Sequence, residues 1–222
     1  MSKVQTIPLH AFTVLTAAFL CVPCSASEDF QFWSTTGVSA NLSQNWAAQF
    51  EEEFRFRDNA GRFYYHHSDL GFVYTGLADW LSVGFNYRQI FEEDSMGEWR
   101  QENRPHLNAT LTGKVSGLSV SNRSRLEYRD REAQQDTWRY RNKLTVNLPA
   151  ELTPLKLQPY FADEVFLNVE GRAFEINRAC VGLTTNLLKN LKGDVYYVRQ
   201  SSRSTDHWTD INIIGIQLRI AF

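Results

Sequence analysis

Cysteine and long apolar runs are both scarce in this chain, and each scarcity excludes something. Of three cysteines, Cys21 and Cys24 sit near the N-terminus, which leaves Cys180 alone in the remainder. One thiol makes no internal disulfide, so the fold must close by other means. Past residue 27 no apolar run approaches the roughly 20 residues of a membrane helix, and no helical period lasts beyond a turn or two. Neither sign of charge prevails, with 23 Lys and Arg against 25 Asp and Glu, so a nucleic-acid partner is not expected. The five histidines show no metal-ligand spacing, and no metal or cofactor is expected. No linker or low-complexity tract divides the chain.

The first residues read as a secretory leader. Lys3 precedes the run AFTVLTAAFLCV, and PCSAS supplies small residues for cleavage after Ala26. A lipidated cysteine is the rival, but Phe-Leu before Cys21 and Val-Pro before Cys24 lack the small residues that lipidation uses. The expectation is a signal peptide over 1–26 and one domain over 27–222.

What the chain has is period-two alternation, renewed about every eighteen residues. The alternating segments are 30–42, 46–57, 64–75, 80–91, 99–112, 118–129, 137–148, 157–168, 176–187, 191–203 and 208–222. Turn-forming pieces such as DNAG, TGLAD, EDSMG and VEGR separate them. Segments of about eleven residues exceed the five or six usual in soluble sheets and match a tilted crossing of a bilayer. Trp46, Tyr74, Trp99, Trp138, Tyr140 and Trp208 lie near segment ends on the apolar face, as the aromatic girdles of a membrane barrel do. The last segment carries Ile214, Ile216, Leu218, Ile220 and a terminal Phe222 at alternate positions. This ending is similar to the C-terminal assembly signal of bacterial outer-membrane proteins, with Phe222, Ile220 and Leu218 as its core. The expected fold is an all-β, antiparallel up-and-down transmembrane barrel of about 10–12 strands. The pattern counts eleven, whereas bacterial single-chain barrels have even numbers, which leaves ten or twelve.

The same parity sends charge inward. The lumen is expected to hold Glu51, Glu53, Arg55, Arg88, Glu102, Arg104 and Arg178. It also receives Arg123, Arg125, Glu127, Arg129, Arg139, Arg141, Lys143 and Glu164. Either water fills such an interior or the charges pair across it. On the second reading the carboxylates neutralise the arginines and the barrel is structural. On the first, the six cations of segments six and seven, set against Glu127 alone, form a wall for small anionic solutes in a narrow pore.

An alternative places chemistry on the outer wall. In YYHHSDLG, His66 and Ser68 face outward, and a hairpin turning at DNAGR brings Glu52 beside Ser68. Ser, His and carboxylate together could make an acyl hydrolase. The His-x-Ser spacing is similar to that of outer-membrane lipid A deacylases.

Several pieces together carry a wider resemblance: RSRLEYRDR, WRYRNKLTVNL, WAAQFEEEFRFR, GFVYTGLADWLSVGFNYR, ENRPHLN and YFADEVFLN. They make the chain resemble the bacterial outer-membrane family catalogued as domain of unknown function 2490, across essentially all of the mature region. The resemblance implies a Gram-negative outer-membrane β-barrel with no established activity and no catalytic residues to carry over. The partners expected are outer-membrane lipid and lipopolysaccharide, the barrel-assembly machinery with its periplasmic chaperones, and small anionic solutes.

Overall fold

The computed structural model of the chain describes residues 30–204 and 207–222. The leader expected over 1–26 lies outside them. Each of the eleven alternating segments is a strand, and there are no helices among the described residues. They are β1 (Phe30–Asn41), β2 (Trp46–Arg57), β3 (Arg62–Ala78), β4 (Leu81–Glu93), β5 (Trp99–Val115) and β6 (Leu118–Arg131). The rest are β7 (Thr137–Asn147), β8 (Gln158–Asn168), β9 (Ala173–Leu188), β10 (Leu191–Ser204) and β11 (His207–Ala221).

Neighbours in sequence pair antiparallel all the way round, and β11 then closes on β1. That closing pair is parallel, running from Phe30 opposite Asn212 to Ser39 opposite Ala221. The even count expected of bacterial barrels is therefore corrected to an odd one, and the fully antiparallel wall has one parallel seam. The reason is geometric: an odd meander brings its last strand back pointing the same way as its first. Closure leaves no sheet edge, so the backbone donors and acceptors of the wall are met within it. At the base of the seam, the Phe222 N–H donates to the Ser39 carbonyl at 2.9 Å and the Asn41 N–H to the Phe222 carbonyl at 3.1 Å.

The turns follow from their residues. Between β5 and β6, Ser116 and Gly117 adopt φ of 50° and 83°, the pair of positive angles a two-residue hairpin needs to match strand twist. Asp58, Asn59 and Ala60, all at positive φ, turn β2 into β3.

The distribution of side chains is inside-out relative to a water-soluble barrel. Large apolar groups stand on the outer wall, among them Phe50, Phe72, Phe85, Leu107, Phe161, Val195 and Ile214. The buried class is dominated by charged and polar residues that point inward. Apolar packing inside is confined to small islands such as Trp33 with Val198 and Ile213, and Tyr64 and Tyr65 with Ile90. Two glycines make room for rings. A Cβ at Gly215 would stand 2.2 Å from Tyr196, and one at Gly182 would stand 2.5 Å from Tyr160.

Candidate functional site

The interior is organised by cross-strand register, which sets several like charges directly opposite each other. Arg125 faces Arg141, Arg123 faces Lys143, and Arg88 faces Arg104. Such pairs repel unless a counter-charge sits on the diagonal. Carboxylates occupy those diagonals. Glu127, with no exposed surface, takes Arg139 at 2.7 Å and Arg141 at 2.8 Å, while Arg125 and Arg104 stand 3.5 and 3.8 Å away. Glu164 takes Arg141 at 2.7 Å and Arg123 at 2.9 Å. Glu102 takes Arg104 at 2.6 Å and Arg129 at 2.9 Å. Within segments six and seven Glu127 faces the six cations alone, and Glu164 and Glu102 come from the strands on either side, β8 and β5, to share them.

A second cluster lies on the β2–β4 side. Arg88 binds Asp69 at 2.7 Å and Glu51 at 3.1 Å, and His67 also reaches Glu51 at 3.1 Å. Glu53 accepts from Arg55 and from the Thr35 hydroxyl at 3.0 Å. Charge-assisted contacts of this kind are short and directional, so each carboxylate fixes the arginines around it.

Aromatic rings complete the lining. The Arg55 guanidinium lies 3.8 Å from the Trp33 ring and 4.0 Å from that of Tyr65. Phe166 stacks under Arg141 at 4.3 Å and Arg178 at 4.8 Å. Such faces attract the cations in addition to the carboxylates that pair with Arg55 and Arg141. Inward polarity alone did not single out these rings. The usable signal was their alternation with inward partners, as Trp33 lies between Gln31 and Thr35.

Around this network the lumen holds three spaces. The central cavity is about 540 Å³, and its wall carries ten cationic side chains against five carboxylates. Glu51, Glu53, Arg55, Arg88, Arg104, Arg123 and Arg125 border it, as do Arg129, Arg139, Arg141, Lys143, Glu164 and Arg178. Glu127 is sealed behind this wall, and Glu102 borders a second cavity of about 350 Å³ toward the β4–β5 turn. A third, of about 210 Å³, lies on the opposite side, and Glu51, Arg88, Arg123 and Arg125 line both it and the central one. Among the described residues, Lys143 and Arg178 have no carboxylate within ion-pair distance. Arg178 instead donates to Gln200 at 2.7 Å. At the rim, the Glu98 N–H, then the Arg100 guanidinium and Met96 N–H, hold the Asp94 carboxyl below its usual range.

On the outer wall, Glu52, His66 and Ser68 are in contact. His66 Nε2 lies 2.6 Å from Glu52 Oε2, and Ser68 donates to Glu52 Oε1 at 2.6 Å. The register places Glu52 directly opposite Ser68. Phe222 ends the seam, with Leu218 and Ile220 on the same outward face of β11. No group of described residues has the makings of a metal site.

An apolar outer wall around a paired arginine–glutamate interior defines the class: a closed β-barrel with a charged lumen. Residues 30–210 match the model of the family described as protein of unknown function (DUF2490), and the chain belongs to that family. No curated protein and no solved structure matches it.

Proposed function

We propose that the protein stands in the bacterial outer membrane and that its lumen is a narrow passage favouring small anions. The membrane part is supported by the apolar outer wall, the outward rings of Trp46, Trp99, Trp138 and Trp208, and the apolar terminal strand ending at Phe222. Phe222 and its neighbours then serve the assembly machinery, and the outer wall meets lipid and lipopolysaccharide. The observation that carries the anion preference is the twofold excess of cations over carboxylates around the central cavity. The ion pairs give that wall its rigidity, while Lys143 and Arg178, which flank Glu164 on the neighbouring strands without closing an ion pair with it, add positive charge that this one carboxylate, already shared by Arg123 and Arg141, offsets only in part.

Conductance of the refolded protein in a planar bilayer under a salt gradient tests this. Small, stable steps with a reversal potential on the anion side are expected. One unit charge at contact in water is worth about 1 kcal/mol, about fivefold in ion occupancy. Lys143→Gln should therefore lower the anion-to-cation permeability ratio by up to about fivefold. A folded, inserted barrel that never conducts would sink the passage and leave a structural barrel locked by its ion pairs.

A further inference from the structure

Three polar side chains interrupt the apolar outer wall between Phe50 and Phe54 on β2 and between Phe63 and Leu70 on β3. They are Glu52, His66 and Ser68, each half-buried. A carboxylate facing hydrocarbon is unfavourable, and an ionisable group retained there marks a functional site. The contacts have a definite order. One oxygen of Glu52 accepts from the Ser68 hydroxyl at 2.6 Å, and the other is held by His66 Nε2 at 2.6 Å. The imidazole is itself clamped, nearly parallel to Phe54 at 4.8 Å and 15° and to Phe91 at 6.4 Å and 8°. On the far side of Ser68, directly across the β3–β4 ladder, stands Gln89. Its amide makes no side-chain hydrogen bond among the described residues.

We propose that Ser68, Glu52 and Gln89 form an acyl-ester hydrolase site on the outer wall, acting on ester-linked acyl chains of membrane lipids. It rests on the bilayer location proposed above. The carboxylate is central here: the nucleophile bonds to Glu52, and His66 acts through Glu52 as a positioning residue. Ser68 Oγ attacks the ester carbonyl carbon and its proton passes to Glu52. The carbonyl pair moves onto oxygen, where the Gln89 amide donates to it. Collapse expels the lipid alkoxide, which takes the proton from Glu52 and leaves an acyl group on Ser68. Water, deprotonated by Glu52, attacks that ester; the acyl–Oγ bond breaks, Ser68 recovers its proton, and a fatty acid leaves. The sum is ester plus water giving alcohol plus acid. The ester of a glycerophospholipid and that of lipid A share this chemistry.

The test reconstitutes the whole barrel into two sets of vesicles, one of phosphatidylethanolamine and phosphatidylglycerol and one also containing lipid A. Insertion is checked by heat-modifiable mobility and protease protection, and released fatty acid is measured by mass spectrometry. Release is expected from at least one set, and the set names the source. Ser68→Ala and Glu52→Gln should each lower it by at least about a hundredfold, the scale of a lost nucleophile or general base. His66→Asn should lower kcat and leave KM unchanged, because His66 acts on the reacting ester only through its contact with Glu52. A fluorophosphonate should label the peptide containing Ser68. An inserted barrel with no release and no label overturns the proposal, as does undiminished release by inserted Ser68→Ala. A barrel that fails to insert overturns the bilayer reading and this site with it.

Discussion

Replacing Glu127 by glutamine should destabilise the barrel by about 3–5 kcal/mol, the usual cost of removing one partner from a buried ionic cluster. Glu127 is wholly buried and has four guanidiniums within 3.8 Å. Glutamine keeps the shape and one acceptor but leaves Arg104, Arg125, Arg139 and Arg141 facing one another without that counter-charge. The urea midpoint of the reconstituted protein, followed by heat-modifiable mobility, reads the effect. Removing Arg139 as well should restore part of the loss, because the pair is directly coupled and the changes cannot add. Glu92→Gln, which borders the cavity away from that cluster, is the control. Should Glu127→Gln unfold at the wild-type midpoint, the lumen would be wet and loosely held, and its ion pairs would contribute nothing to the rigidity of the wall.

The second large effect separates the two sides of the wall with adjacent residues. Ile216 points outward and is 39% exposed, whereas Gln217 borders the central cavity opposite Asp194. In a bilayer, Ile216→Arg should cost about 2–4 kcal/mol near the midplane. Gln217→Arg should stay within about 0.5 kcal/mol, since it enters a polar space beside a carboxylate. Unfolding in lipid vesicles measures both. Equal tolerance of the two arginines would mean that water, not hydrocarbon, lies outside.

The fold was legible in the sequence because closure and alternation impose a period that survives every substitution facing only one solvent. All eleven segments could be read, and the preference for an even number failed only because it assumes an antiparallel seam. Register was partly legible: the turn at DNAG places Glu52 opposite Ser68. Which carboxylate serves which arginine was not, since Arg141 reaches both Glu127 on one neighbouring strand and Glu164 on the other. Inward apolar groups such as Trp33, Phe166 and Ile213 escaped for a related reason. A rule that assigns apolar residues outward cannot see rings used as plates for guanidinium. The irregularity near Arg55 also turns both Tyr64 and Tyr65 into buried positions, which strict alternation forbids.

The parallel ladder between β1 and β11 also sets an order of events in time. Every other pairing joins strands adjacent in sequence and can form hairpin by hairpin, but this one must wait until the whole wall exists, because its partners are the most distant in the chain. Parallel bonding is slightly weaker per residue than antiparallel bonding. The join that forms last is then also the one that parts first. Amide hydrogens shared between Phe30–Ser39 and Asn212–Ala221 should accordingly exchange with solvent ahead of those in the β4–β5 and β5–β6 ladders, and uniform exchange around the wall would refute that order.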